Sequence, residues 1–581
     1  MRSAEWITAL AVDTFATPET LSDEQRLIAK TAAEFVEGEV GPALRQLEAK
    51  DWGAARRLMR RCGDLGLLGV DVAERWGGVD ADTLSSMLVS EHLGRIPAFG
   101  ATAGGHTNLC ITPIQMFGTD EQKARYLPAL VRGDMLGAYA LSESGAGSDA
   151  LNARTVAVSL GDEGYSLTGE KLWITNGGFA DIFVVFAKVG GEQFTAFLVE
   201  RAFGGVQSGH EEQKMGLDGS STTPVVLSGV PVPCSNVLGE VGKGHRVAFT
   251  ILNFGRFKLG AMCAGSCKQA LTEAVRYAAV RRQFSRPIAD FGAIRHKLGE
   301  MIARTYALEA VLCRIAGLVD SRPAVGAGDR GIGHGTTEDI AIEASIAKVL
   351  GSEVLDFVVD ENVQIHGGNG FVRDYAAERR YRDARVNRIF EGINEINRLL
   401  LAGRVLKRAA ARELPLLDEA LKLRSDLLGP MTMAPQAGDV LDEQQDAVAA
   451  FRRAGILVAA LAMDRYGRAV EDEQEVLLWI ADILIDTYAA DSAVHRARQA
   501  HVIGHPLSSL HRDAAAVFVA GAALRVECAA REALASMFEG DQRRTHLAAL
   551  RRALKVSPTN TVIPRRALAD FGTSNGRYPF E

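Results

Sequence analysis

The chain has 581 residues, 47% of them hydrophobic and 24% charged, which leaves room for several domains with sizeable cores. A net charge of -7 excludes the strongly basic surface on which nucleic-acid binding rests. Seven scattered cysteines without a CxxC pair or a His-Cys cluster exclude a zinc site of ordinary spacing and point to reduced thiols in a cytosol-like compartment.

The opening MRSAEWITALAVDTFATPET lacks a basic start followed by an apolar run, so no secretory signal is expected. No apolar run approaches the ~20 residues that span a bilayer. A cytoplasmic protein is expected, at most weakly peripheral to a membrane.

From Leu21 to about Leu136 the pattern is helical, opening on a capping box at Ser22 and Gln25 and continuing with Leu27, Ile28, Phe35 and Val36 on one face. Within it, Phe99 to His106 reads FGATAGGH; side chains this small let either another helix or a ligand approach closely. Between Tyr139 and about Gly242 the period becomes that of strands, with alternation at Val156, Val158 and Leu160 and short β-rich runs at Ile182 to Ala187, Thr195 to Val199, Val225 to Leu227 and Val230 to Val232. Helical periodicity returns from Arg246 to Leu406, interrupted by a Gly- and Pro-rich loop at Ser321 to Thr337. Arg412 to Asp442 reads as a linker with one short helix. Long Ala- and Leu-rich helices follow from Glu443 to about Leu554, and the final stretch has little periodicity. The expected fold is α+β but not a doubly wound sheet, since strands and helices do not alternate. Its expected parts are a helical domain (1–138), a β domain (139–242), a helical bundle (243–408), a linker (409–442) and an appended helical domain (443–581).

Several segments carry the types of residue that chemistry needs. Ser142 to Asp149, SESGAGSD, combines small residues that expose backbone with hydroxyl donors, or is simply a surface turn. Lys171 to Gly178, KLWITNGG, puts Trp173 and Thr175 two apart on a strand, so that an indole could cover a planar ring while a hydroxyl bonds its edge; a half-buried strand tryptophan is the alternative. Arg281, Arg282, Gln283 and Phe284 close the Tyr277 helix and could serve a pyrophosphate. Gln364 to Gly370, QIHGGNG, is a glycine turn that could bring N–H groups to phosphates, with His366 in a structural role. No metal-ligating pattern is present.

Arg388 to Leu401 reads RIFEGINEINRLLL, one carboxylate beside a glycine in an apolar frame. Ile393, Ile396, Leu399 and Leu400 recur behind it at helical spacing, so Glu391 is expected where a loop enters a buried helix. Loss of water there would raise its pKa into the range of a general base. The alternative is an ordinary first-turn helix acid favoured by the dipole.

In this order and spacing SESGAGSD, KLWITNGG, RRQF, QIHGGNG and IFEG resemble the acyl-CoA dehydrogenases from about Leu21 to Arg408. The C-terminal extension, LNFGRF at Leu252 to Phe257, and IFEGINEI look most like the very-long-chain branch. The resemblance implies FAD lying between the β domain and the helical bundle, with help from a partner subunit. By it, Leu141, Ser142, Gly147, Ser148, Trp173 and Thr175 would line the isoalloxazine. Arg281, Gln283 and Phe284, with Gln364, Gly367 and Gly368, would hold the pyrophosphate and adenine end across a dimer, and Ile393 and Glu395 would also lie against the cofactor. Ser148, Arg256 and Gly392 would meet the acyl-CoA, and Ala101, Gly104 and Gly105 would leave the acyl pocket open for long chains.

Glu391 occupies the family's base position. Some relatives carry the base just before the arginine matching Arg256, but that site is Gly255 here. The family chemistry removes an α proton as the β hydrogen leaves as hydride to the flavin. The oxyanion is held by a flavin hydroxyl and the N–H of the base, and electrons pass to an electron-transfer flavoprotein. Two departures stand out: Ile393 replaces the usual threonine that contacts FAD, and Leu414 to Leu428 lacks the basic character tied to membranes in the very-long-chain enzymes. The resemblance implies a homodimer, with an acyl-CoA oxidase or an assembly factor of the same fold as alternative readings.

Overall fold

A computed structural model describes residues 3–8, 15–321, 340–429 and 441–581. The N-terminal helices are α1 (Asp23–Phe35), α2 (Gly41–Glu48), α3 (Trp52–Asp64), α4 (Thr83–Gly94), α5 (Pro97–His106), α6 (Thr112–Phe117) and α7 (Asp120–Val131). The capping box forms as predicted: Ser22 Oγ accepts from the Gln25 N–H at 3.1 Å and Gln25 Oε1 accepts from the Ser22 N–H at 2.9 Å. The small residues of FGATAGGH make up most of α5.

The β domain is one eight-stranded sheet of β1 (Gly137–Ala140), β2 (Val156–Ser159), β3 (Tyr165–Thr175), β4 (Ile182–Val189), β5 (Gln193–Glu200), β6 (Val206–Ser208), β7 (Thr222–Val232) and β8 (Val237–Leu238). The order runs β6-β7-β3-β2-β4-β5-β8, with β1 also on β4. β1 and β2 run parallel to β4, and the other pairs are antiparallel. Two expectations change here. The runs at Val225 and Val230 belong to one strand, β7. Val156, Val158 and Leu160 alternate as predicted but point outward, with Val158 58% exposed, while Ala157 is buried; alternation sets the period of a strand, not which face meets the core.

Next come α8 (Gly244–Val280), a hairpin of β9 (Arg282–Gln283) and β10 (Arg286–Pro287), then α9 (Gly292–Asp320), α10 (Ala341–His366), α11 (Ala376–Ala384) and α12 (Asn394–Ala410). The α8 and α10 backbones nearly touch: a Cβ on Gly351 would lie 3.0 Å from Gly260 Cα, and one on Gly260 would lie 2.9 Å from the Ala347 oxygen. This approach packs Gly260, one turn after Gly255 and Arg256 on α8, against Ala347 and Gly351 of α10. The loop predicted at Ser321 to Thr337 lies, beyond Ser321, outside the described residues.

The predicted linker contains the one expected short helix, α13 (Leu416–Leu428); residues 430–440 lie outside the described residues. The extension comprises α14 (Asp442–Tyr466), α15 (Gln474–Val502), α16 (Ser508–Met537), α17 (Gly540–Ala553) and α18 (Val562–Asn575). α18 lies where little periodicity was read. Its buried positions, Leu568, Ala569 and Gly572, are too few and too small to give a strong apolar stripe.

One apolar core runs without a break from α8 to α10 through α12 into the extension. A buried ionic network crosses the same junction. Arg496 of α15, wholly buried, pairs with Glu19 at 2.6 Å and with Glu309 of α9 at 2.9 Å. Glu309 also forms an ion pair with Lys268 at 2.5 Å and accepts from the Tyr578 hydroxyl at 2.5 Å. At the chain's start, Glu343 of α10 accepts from Ser3 Oγ (2.6 Å), the Ala4 N–H (2.8 Å) and Trp6 Nε1 (3.1 Å). Among the described residues no helix is long and apolar enough to cross a membrane.

Candidate active site

A short 3-10 turn, Arg385–Arg388, ends before Ile389, and α12 begins at Asn394 with Ile393 as its N-cap. Glu391 therefore sits where a loop enters a helix, as predicted. It holds φ +58°, and Gly392 follows at +80°. A left-handed conformation is unfavourable for a side chain with a Cβ by about 1–2 kcal/mol, so the surroundings must enforce it. Asn397, fully buried, does so from the next turn, donating to the carbonyls of Gly392 (2.8 Å) and Ile393 (3.1 Å). Arg256 Nε donates to the Glu391 carbonyl at 3.2 Å while its Nη1 holds Asn253 Oδ1 at 2.9 Å.

The Glu391 side chain turns towards α8, where a Cβ on Gly255 would come within 2.9 Å of its Oε2. The glycine thus provides the space that the carboxylate needs. Oε2 is sealed from solvent and has no protein partner. Burial pushes the pKa of Glu391 up to about 7, against the opposing charges of Arg256 and Lys348. Burial also pulls Arg256 down to about 10 and Lys348 to about 8.

The expected apolar stripe behind Glu391 is corrected. Ile396 is exposed and Ile393, Leu399 and Leu400 are half-buried, whereas Asn394, Asn397, Leu401 and Val405 are buried. The inward face is led by two asparagines because the amide nitrogen of each donates to neighbouring groups, which a reading of hydrophobic spacing cannot register. Glu395 is exposed.

Beside Phe390 lies a small cleft, with about 20 Å³ of enclosed space, walled by Ala101, Leu217, Met262, Leu355, Asn387 and Phe390 among others. Of the three small residues expected to open it, only Ala101 lines it. A Cβ on Gly104 would meet the Met262 Sδ and Cε at 3.6 Å, and one on Gly105 would press to 3.0 Å from Thr175 Cγ2. Gly104 therefore faces a flexible thioether, and Gly105 brings α5 against β3.

The flavin-type segments take their places around β1 and β3. Leu141 is buried and Ser142 half-buried, and the Ser142 carbonyl accepts from the Leu172 N–H at 2.9 Å. Gly147 and Ser148 are exposed, and a Cβ on Gly145 or Gly147 would meet nothing within 4 Å. Beneath this open loop Glu143 is buried and accepts from Lys171 Nζ (2.6 Å), Thr155 Oγ1 (2.6 Å) and the Arg154 N–H (2.6 Å). Burial works to raise the pKa of Glu143, but these donors hold it below the usual value. Trp173 does not sit in regular strand geometry. It has φ +58° at a bulge where β3 carries an extra residue between Lys171 and Ile174, and it is 61% exposed, with Thr175 half-buried.

Arg281, Gln283 and Phe284 do not close the α8 helix. Val280 ends it, and the tight hairpin that follows has Phe284 (φ +49°) and Ser285 (φ +68°) at its tip. Gln364, Gly367 and Gly368 end α10 and are exposed. Tyr277 joins this turn to the α8 end, stacking on His366 at 4.1 Å and donating to its carbonyl at 3.2 Å. His366 is thus structural. Among the described residues no hydrogen bond or ion pair ties the hairpin or the glycine turn to the Glu391 loop.

Sequence reasoning missed five residues here. Asn397 and the Glu143–Lys171 pair carry no local signal, the pair being 28 positions apart. Lys348 stands out within the otherwise small and apolar ASIAKVLGS. Tyr139 of β1 buries a hydroxyl that has no protein partner. Its pKa is driven well above the phenol range by burial and then by the Glu391 charge.

A carboxylate with a raised pKa, a neighbouring apolar cleft, and an open loop and exposed indole are the features that abstraction of a weakly acidic proton beside a flat bound group requires. Family models for the acyl-CoA dehydrogenase N-terminal, middle and C-terminal domains match residues 22–134, 138–230 and 242–406, and a second C-terminal domain model matches 450–552. A probable acyl-CoA dehydrogenase of Bacillus subtilis is 44% identical over 96% of this chain and 95% of its own. The human very long-chain specific acyl-CoA dehydrogenase, a mitochondrial protein, is 35% identical over 90% of this chain and 82% of its own. A crystal structure of an acyl-CoA dehydrogenase complexed with FAD from Bacillus anthracis superposes with a TM-score of 0.95 at 43% identity, covering 100% of both chains. The chain belongs to the acyl-CoA dehydrogenase family.

Proposed function

We propose that this acyl-CoA dehydrogenase uses FAD to introduce a trans double bond between the α and β carbons of long-chain acyl-CoA thioesters in fatty-acid β-oxidation, and passes the electrons to an electron-transfer flavoprotein. The observation that carries the reading is Glu391: a half-buried residue whose Oε2 is sealed from solvent and unpartnered, with a pKa raised to about 7, next to a small apolar cleft. The FAD of the Bacillus anthracis relative supports the cofactor.

The residues of this chain fit that group. The Gly145 and Gly147 backbone is open, Trp173 offers an exposed indole, and the Tyr139 hydroxyl lacks a protein partner. When bound, FAD supplies a hydride acceptor. Glu391 Oε2 takes the α proton; the left-handed turn held by Asn397 and Arg256 aims it, and burial keeps it basic near neutral pH. Among the described residues the Glu391 N–H donates to no protein acceptor, which leaves it for the thioester oxygen where negative charge develops. The Phe390 ring and the Met262 thioether, both lining the cleft, exclude water from the acyl chain.

The hairpin and glycine turn support a homodimer. Val280 (75% exposed), Phe284 (87%) and Phe371 (86%) are apolar and solvent-facing in the single chain, so Arg281, Gln283, Gln364, Gly367 and Gly368 are offered to a second copy. Light scattering is expected to give a dimer; a tetramer would assign the extension another role.

The long-chain reading is supported by the resemblance to the very-long-chain branch and by Ala101 at the wall of the cleft. Each buried methylene contributes about 0.8 kcal/mol, so four carbons change affinity by about 3 kcal/mol, roughly a hundredfold. Anaerobic titration with acyl-CoA of graded length, followed by bleaching of the flavin, is expected to favour chains of about twelve carbons or more. Ala101→Phe is expected to move the optimum to shorter chains without abolishing turnover. A parent that prefers butyryl-CoA, or a variant with an unchanged profile, would overturn the long-chain reading, and fast reoxidation by oxygen would favour an oxidase.

A further inference from the structure

Lys348 lies in the first half of α10, fully buried, and among the described residues it makes no ion pair. A buried ammonium without a counter-charge is strongly unfavourable, so something nearby compensates for it. Its one hydrogen bond, 2.5 Å long, goes to Asn394 Oδ1. Asn394 is the first residue of α12, three after Glu391. The Asn394 amide nitrogen reaches back to α10, donating to Ser352 Oγ at 3.1 Å and Glu353 Oε1 at 3.0 Å. One side chain thus fastens the first turn of α12 to α10, and Lys348 is the charged end of the fastening.

We propose that Lys348 is a positioning residue for the Glu391 carboxylate: through Asn394 it fixes the helix start behind the base, and its ammonium is the second buried cation that keeps the base ionisable. The proposal rests on Glu391 being the base. Two cations act on the Glu391 carboxylate, Arg256 first and Lys348 second, and Glu391 in turn opposes the loss of the proton from Lys348. The two divide the work. Arg256 donates to the main-chain carbonyl of Glu391, whereas Lys348 holds the following helix turn.

The other charged and titratable groups facing this pair are few. Cys263 of α8 and Glu353 of α10 act on Lys348, and Tyr139 of β1 feels Glu391. Glu353 is itself engaged by Arg398 of α12 at 2.7 Å, and Arg398 also pairs with Asp482 of α15 at 2.7 Å. Glu353 is therefore committed elsewhere, which leaves Glu391 as the compensating acid within the site.

The test uses the full-length FAD-containing protein and its Lys348→Met, Lys348→Gln and Lys348→Arg variants. The rate of anaerobic flavin reduction by a saturating substrate is followed against pH, with bound FAD quantified. Removing the charge makes ionisation of Glu391 harder, so the acid limb of the profile is expected to move up by about one pH unit in both the Met and Gln variants. Rates would fall about tenfold below the limb and approach the parent well above it, where the base is ionised in either protein. Lys348→Arg is expected to keep the parental limb. Gln separates charge from support, because it can still donate to Asn394. If the Met variant does not fold with FAD, the Gln variant decides alone. A parental limb in Lys348→Gln, or a loss of rate equal at every pH, would reduce Lys348 to a structural support and overturn the proposal. Full activity in Glu391→Gln would instead overturn the base assignment.

Discussion

Replacing Glu391 by glutamine is expected to leave a folded, yellow protein that has lost about 10²–10⁴-fold in dehydrogenation rate, the usual contribution of a positioned general base. The amide has nearly the same shape and can fill the space opposite Gly255, but it cannot accept the α proton. The substitution also has a signature without substrate. Because the folded-state pKa of Glu391 is raised from 4.5 to about 7, the parent's stability from this group is fully present below the unfolded value and is lost as pH rises through the folded one. Glutamine does not titrate. The variant is therefore expected to gain on the parent between about pH 4.5 and 7, levelling off at roughly 3 kcal/mol. Denaturant titrations at pH 4.5, 6 and 8 measure this. Parallel stabilities across that range, or activity within a few-fold of the parent, would remove Glu391 from the base role.

The second large effect is one of stability. Arg496→Met is expected to destabilise the fold by about 3–5 kcal/mol, the range for removing one partner of a buried ion pair. Arg496 packs over the Tyr306 ring at 4.2 Å as well as pairing with Glu19 and Glu309, so the variant strands buried acids and loses a stacking contact. The pH dependence has the opposite sign to that of Glu391. Burial pushes Glu19 up, but the charge and hydrogen bonds of Arg496 more than reverse this and hold it at about 2. The stability it contributes is present above the unfolded pKa and is lost as pH falls from about 4.5 through 2. The parent should lose stability across that window and Arg496→Met should lose less. Urea melts at pH 7 and pH 3 distinguish the cases; an Arg496→Met melt within 1 kcal/mol of the parent at pH 7 would mean that the network adds little beyond packing.

Much of the architecture could be read from periodicity alone, because the switch from helix to strand and back changes the spacing of apolar residues over about a hundred positions. Glu391 does sit at a loop-to-helix junction, since Asn394 opens a regular helix, but Ile393, Ile396, Leu399 and Leu400, whose spacing suggested that helix, are not its buried face. What could not be read is whatever depends on partners far away in sequence. Val156 and Val158 face outward because Ala157 meets the core. Trp173 is turned by a bulge set by pairing with β7. Gly104 and Gly105, adjacent and equally small, serve Met262 and Thr175 respectively. Arg281 to Phe284 looked like a helix end, and the reversal at Phe284 and Ser285 depends on left-handed backbone that neither residue type advertises.

The way the extension is fastened has a consequence for how the chain folds. Ser3 bonds Glu343 across 340 positions, Trp6 accepts from Arg452 across 446, Arg496 holds Glu19 across 477, and Glu581 meets Arg95 across 486. Closing loops of that length sacrifices chain entropy before any contact rewards it, which makes such contacts late and slow. During synthesis, α9 and α10 emerge long before α15 and residue 578 exist, so the apolar face that the extension covers stays bare in the interim. A slow, aggregation-exposed stage is thereby built into the order of translation. The buried charges at the junction suit that stage: without their partners they favour water, which discourages premature sealing of the wrong surfaces.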